Sequence, residues 1–460
     1  MNLVGCSNTV QVAIVGSGPS GFYAAEVLLR RRPDARVDMY DRLPTPFGLI
    51  RGGVAPDHPK IKQVSLVYDR IARSPGFAFV GNVEIGSMLT VEQLRSAYHI
   101  VILACGASAD RRLGIAGEDT VGSHTATEFV GWYNGQPDYR DRVFDFSAER
   151  AVIIGQGNVA ADVARILATP VEDLRRTDIA QHALDALAGS RIRDICLIGR
   201  RGPAQMKFTP TELKELAHIR DCAAIVASED LDLSVACTGE ISDPRGDEAR
   251  KNVSLLRGFV AAVPPGACRR ILFRFLETPA RINGPGRVQS VTLIKNRMEG
   301  PPFGQVAVAT EHTLDLPCEL IFRSVGYRGV AVPGVSFDER TGTIPNRKGR
   351  CLIGHHPIRG VYVTGWIKRG PTGIIGTNRA DSVETVESIC EDLAGTPITF
   401  KPGAAALRDS LLTRGARIVS YGEWQKIDLA ERSRGQPRGK PREKYTCVRE
   451  MIEAIDASVP

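Results

Sequence analysis

Apolar runs closed by glycine, each followed by apolar residues spaced three and four apart, recur along the chain. The run at residues 10–15 predicts a strand buried on both faces, and Ala24, Ala25, Leu28 and Leu29 predict a helix directly after it. Residues 36–40 predict the next strand, and residues 99–104 another that runs into Gly106. The same order returns at residues 151–154, followed by Val159, Val163, Ile166 and Leu167 on one helical face that ends near Thr169 and Pro170. Residues 195–198 predict the following strand. Similar strand-to-glycine phrases appear at residues 320–326 and 360–365, and a helix is predicted from Ala380 to Leu393. Elsewhere, residues 226–262 read as helical or irregular, residues 271–325 as short alternating strands, residues 434–441 as an exposed loop, and residues 450–455 as a short closing helix.

Two of these strand-turn-helix units carry a glycine fingerprint: Gly16-Ser17-Gly18-Pro19-Ser20-Gly21 and Gly155-Gln156-Gly157-Asn158-Val159-Ala160. Such glycines let backbone N–H groups approach a pyrophosphate at a helix N-terminus. The strand after the first fingerprint ends in Asp41, whose carboxylate suits a ribose diol and repels a 2′-phosphate, so this site is expected to hold FAD or NAD. The strand after the second ends in Arg200 and Arg201, which suit a 2′-phosphate and point to NADPH. The phrases near residues 104 and 320 read as crossings out of and back into one domain. The expected fold class is therefore α/β, with two Rossmann-like dinucleotide-binding domains, the NADPH domain inserted into the FAD domain.

Charge and cysteine usage narrow the chemistry. The formal net charge of +7 is uneven: residues 191–220, 245–274 and 432–449 each carry seven Lys or Arg against at most three acids. These blocks read either as solvated faces or as a docking surface for an acidic partner, and nucleic acid fits less well because aromatic residues are not interleaved with them. The ten cysteines include no C-x-x-C, which argues against a thiol-disulfide reductase or an iron–sulfur cluster on this chain. No apolar run reaches membrane-spanning length and the start lacks the pattern of a secretory signal, so no membrane insertion and a cytoplasmic location are expected.

The fingerprints, together with Pro46-Phe-Gly-Leu-Ile-Arg-Gly-Gly-Val-Ala-Pro-Asp-His-Pro59, Gly199-Arg-Arg-Gly202 and Gly365-Trp-Ile-Lys-Arg-Gly-Pro-Thr-Gly373, resemble adrenodoxin reductase and its bacterial ferredoxin-NADP reductase relatives over nearly the whole chain. The resemblance implies electron flow from NADPH through FAD to a ferredoxin, here expected to be an acidic iron–sulfur protein. It implies an FAD-binding domain at residues 1–108 and 331–460, and an NADPH-binding domain at 109–330. Carried over motif by motif, FAD contacts fall on Ser17, Gly18, Pro19, Asp41, Leu49, Val83, Trp366, Gly373, Ile374 and Ile375. NADP contacts fall on Gln156, Gly157, Asn158, Val159, Arg200, Arg201, Glu212 and Gly373. A polar catalytic network maps onto His58, with Asp162 and Glu215 as candidate partners. Docking is expected at basic residues of the insert, among them Arg245, Arg250, Lys251, Arg269 and Arg270. The main rival reading is an NADPH-dependent flavin monooxygenase or a diaphorase with a small-molecule acceptor.

Overall fold

The computed structural model describes residues 9–260, 266–373 and 375–457, so residues 1–8 and Ile374 lie outside the described residues. Val10–Val15 is flanked by Ala35–Tyr40 and Ile100–Leu103, both parallel to it. Val10, Val12, Ala13 and Ile14 are fully buried, which is why this strand, apart from the half-buried Gln11, is an apolar run rather than an alternating one. In register, Val15 lies opposite Tyr40 and Leu103, so the three strands end together at one edge, where the crevice of an open α/β sheet lies. Phe77–Val80 extends this sheet on one side. His356–Val363 joins Ile100–Leu103 in parallel on the other, followed by Arg350–Ile353 and Asn346–Arg347. Residues from both ends of the chain thus share one seven-stranded sheet.

A second, six-stranded sheet is parallel throughout, in the order Ser123–Thr125, Leu320–Arg323, Arg150–Ile154, Asp194–Ile198, Arg269–Arg274 and Cys222–Val226. The two passages between the sheets, Ala109–Asp110 and Tyr327–Arg328, pair antiparallel as a two-stranded ribbon. Against the second sheet packs an antiparallel sheet of Glu277–Asn283, Ser290–Glu299 and Val306–Pro317. Ile282, Val291, Leu293 and Leu316 meet Val152, Ile154, Cys196 and Ile198 in one core.

Two local expectations are corrected. Two strands within residues 271–325 are long rather than short, Ser290–Glu299 with ten residues and Val306–Pro317 with twelve. That strand is exposed along most of its length, so it carries little apolar alternation to read. The segment at residues 434–441 is not wholly an exposed loop: Lys440 is buried, and its ammonium donates to the Ile179 carbonyl and pairs with Glu443. Among the described residues, no helix is long and apolar enough to cross a membrane.

Candidate active site

Asp41 builds the first loop from below. Its carboxylate accepts from the Ser17 N–H at 3.0 Å, from the Ser17 hydroxyl, and from the Leu43 N–H at 2.9 Å. Burial nevertheless outweighs these bonds and lifts the carboxyl above its ordinary range. The helix Pro19–Arg31 starts at Gly18 with no side-chain cap, and a side chain at Gly18 would meet open space. By contrast, Thr90, Thr125, Thr209 and Ser420 cap other helices with their hydroxyls. Uncapped N–H groups in front of an open cradle fit a pyrophosphate. The Cβ of an alanine at Gly21 would come within 2.2 Å of the Gly16 carbonyl oxygen, so glycine here lets the helix close on the loop.

The C-terminal side of this site leans on the same helix. Gly365 has φ of 78°, and a Cβ there would lie 2.1 Å from the Ser20 hydroxyl. Asp381 on the helix Ile375–Leu393 accepts from the Gly365 N–H and pairs with Lys368 and Arg369. Trp366 stacks on Tyr327 of the crossover ribbon at 5.6 Å, and its buried indole N–H has no partner among the described residues, an orphaned donor that fits a polar ligand edge. Leu49 is exposed at the start of Leu49–Gly52, whereas Val83 is buried and its N–H donates to the Asp41 carbonyl. Gly373 has positive φ and is exposed, and Ile375 opens the long helix.

The second loop repeats the open cradle, with Gly157 heading Asn158–Ala168 uncapped and with empty space beside it. Two of its polar side chains are committed to the protein. Gln156 donates its amide to the Leu197 and Arg274 carbonyls, and Asn158 accepts from the Thr209 N–H at 2.9 Å. Val159 packs partly into the core. Arg200 and Arg201 have no side-chain ion pair among the described residues. Burial and then Arg200 depress the Arg201 guanidinium below its ordinary range. Two adjacent unneutralised cations fit a phosphate dianion.

Between the loops lies a cluster drawn from both sheets. His58 Nε2 is 2.7 Å from Glu215 Oε2, while its Nδ1 is 4.0 Å from Asp162, beyond hydrogen-bond reach. Arg165, absent from the sequence-derived site, occupies the centre. It binds Asp57 through two nitrogens at 2.6 and 3.1 Å, Asp162 at 2.6 Å and Glu212 at 3.1 Å. Burial pushes the Asp162 and Glu212 carboxyls up, whereas the Arg165 fork overcomes burial at Asp57 and holds it down. His58, Glu212 and Glu215 stand close enough together to hold a cation, but Arg165 already supplies their positive charge.

The family model for pyridine nucleotide-disulphide oxidoreductases matches residues 10–196. NADPH-ferredoxin reductase FprA of Mycobacterium leprae is 45% identical over 450 residues, covering 96% of this chain and 97% of the relative. The chain belongs to the NADPH-ferredoxin and adrenodoxin reductase family. Human mitochondrial NADPH:adrenodoxin oxidoreductase is 43% identical over 97% of this chain and 92% of its own. The solved structure of Mycobacterium tuberculosis FprA in complex with NADPH superposes with a TM-score of 0.92 at 42% identity, covering 97% of this chain and 99% of that one.

Within this adrenodoxin reductase-type framework, the two glycine loops, with Asp41 after the first and Arg200 and Arg201 after the second, follow the carboxyl ends of parallel strands in two sheets. Glu212, expected at the coenzyme, has its carboxylate on Arg165 in the central cluster. Arg165, Asp57 and Asp381 were missed. The helical spacing of Asp162 and Arg165, three apart, is the one local signal that could have suggested Arg165. The basic residues expected to dock a partner do not form one free basic face. Arg245 pairs with Asp243, and Arg250 and Lys251 both pair with Asp247. Arg269 donates to the Ile192 and Ala168 carbonyls, and Arg270 pairs with Asp194. Arg269 and Arg270 begin their strand, at the edge of the sheet opposite the coenzyme loops.

Proposed function

We propose that this protein is an FAD-dependent NADPH:ferredoxin oxidoreductase, with residues 1–108 and 331–460 as the FAD-binding domain and 109–330 as the NADPH-binding domain. The observation that carries this reading is the contrast between two equivalent loops, a buried carboxylate closing the first and two unpaired guanidinium groups closing the second. FAD is held by the backbone around Ser17, Gly18 and Pro19, by Asp41 on the ribose, and by Leu49, Val83, Trp366, Gly373, Ile374 and Ile375. NADPH is held by the backbone of Gln156, Gly157, Asn158 and Val159, with Arg200 and Arg201 on its 2′-phosphate.

Bound FAD supplies the exchange between a two-electron hydride donor and a one-electron iron–sulfur acceptor. The chain contributes orientation and charge. Asn158 ties the NADPH loop to Thr209, the cap of the helix bearing Glu212 and Glu215, so the coenzyme cradle and the His58 partner are one rigid assembly. His58 and Glu215 hold a proton between them at 2.7 Å, and Asp162 and Arg165 back this pair from the other side of the ring. The electron acceptor is proposed to be an acidic ferredoxin-type protein, a reading that the net charge of +7 supports.

Stopped-flow spectroscopy separates this proposal from a monooxygenase or a diaphorase. NADPH is expected to bleach the flavin, and ferredoxin to restore its colour much faster than oxygen does. An oxygen adduct formed with substrate, or reoxidation indifferent to ferredoxin, would overturn the reading.

A further inference from the structure

Arg165 is nearly buried, its side chain 5% exposed, and groups from four elements face it. Asp57 and His58 come from the loop before Pro59–Lys62, Asp162 from its own helix, and Glu212 and Glu215 from Pro210–Ala217. The fourth is Ala126–Tyr133, whose Tyr133 hydroxyl is buried without a partner among the described residues and feels Asp162, Arg165 and Asp57. A guanidinium has five N–H donors and no acceptor. Nε and Nη1 each give a hydrogen to a carboxylate, and the two hydrogens of Nη2 serve Asp57, Asp162 and, at 3.4 Å, His58 Nδ1, so one of them is shared.

A ring nitrogen facing an obligatory donor presents its lone pair. The proton then belongs on Nε2, which points at Glu215 Oε2. We propose that Arg165 is a positioning residue that fixes His58 as the Nε2–H tautomer and clamps the Asp57–His58 loop onto the unit carrying the NADPH loop.

The clamp is doubled along the loop. Asp57 is bound by Arg165, and five residues later Lys62 donates to Asp178 at 2.6 Å, so both ends of a segment belonging to the first sheet's unit are anchored on the insert. Without the guanidinium, the nearest charged group to Nδ1 is Asp162 at 4.0 Å, an acceptor that would draw a proton to that nitrogen. Glu215 at 2.7 Å and Glu212 at 4.0 Å hold a proton on Nε2, and Arg165 keeps bare the second nitrogen, which Asp162 would otherwise protonate.

The significance of this tautomer for hydride transfer rests on the coenzyme reading above. The tautomer itself does not, and the test is made without NADPH so that the two can fail separately. In FAD-loaded protein with 15N-labelled histidine, His58→Gln identifies the His58 signals among the eight histidines. Nitrogen NMR is expected to show wild-type His58 with a bare Nδ1 and a protonated Nε2. Arg165→Met is expected to lose the bare Nδ1 signal, and Arg165→Lys, which keeps a cationic donor, to retain it. A protonated Nδ1 in the neutral wild-type ring would overturn the proposal, and so would an unchanged tautomer in a folded Arg165→Met variant. If Arg165→Met does not fold, the wild-type tautomer alone decides.

Discussion

On the proposed reading, coenzyme choice in this chain rests on a few charges at equivalent places. Asp41 is saturated from within by Ser17 and Leu43, while Arg200 and Arg201 are left without carboxylate partners. Replacing both arginines with glutamine is expected to raise the KM for NADPH about 100-fold or more, because charge-assisted bonds contribute roughly 1.5–3 kcal/mol each, and to change the KM for NADH little. Steady-state kinetics with both coenzymes checks this, and equal losses would contradict it. Asp41→Ala is expected to yield protein with well below one flavin per chain by absorbance, since it removes the anchor of the Ser17 turn together with the ribose acceptor. These charges were legible because they follow strands at fixed offsets from glycine. Arg165 was not, because apart from Asp162 its partners lie 47 to 108 residues away and meet only when the two sheets dock.

Strands buried on both faces and glycine-headed helices were readable as apolar runs and fingerprints, since burial leaves no polar alternation. The C-terminal elements were harder. The helix Tyr421–Gly435 is held by ion pairs as well as apolar contacts, and an ion-paired residue looks like a surface residue in sequence. Glu431 on this helix is fully buried and accepts from Arg51 at 2.5 and 2.9 Å, with Arg442 at 3.4 Å. Glu431→Leu leaves both guanidinium groups without it, and is expected to cost about 3–5 kcal/mol in denaturant unfolding of the flavin-loaded protein. A loss under 1 kcal/mol would show that water replaces the carboxylate.

Across the whole molecule, buried charge joins the unit built from both chain ends to the insert. Asp178 binds Lys62 at 2.6 Å and Lys444 at 3.2 Å, both from segments outside the insert. Burial alone would raise the Asp178 carboxyl, but Lys444 and Lys62 override it and hold it well below its ordinary value of 3.8. A carboxyl depressed on folding contributes stability above its unfolded value and loses it as the pH falls below that value. Asp178→Asn is therefore expected to unfold more readily at neutral pH and to show a flatter loss of stability below about pH 4, as followed by thermal unfolding across a pH series. The alternation of elements announced the insertion, but this ionic seam could not be read, because a lone lysine or aspartate carries no local sign of its partner. The central claim, a route from NADPH through flavin to an external one-electron carrier, meets its most direct test in NADPH-driven reduction of cytochrome c, with and without a panel of ferredoxins. A large ferredoxin-dependent increase that falls as salt is raised is the expected result, and a rate no ferredoxin changes would contradict the account.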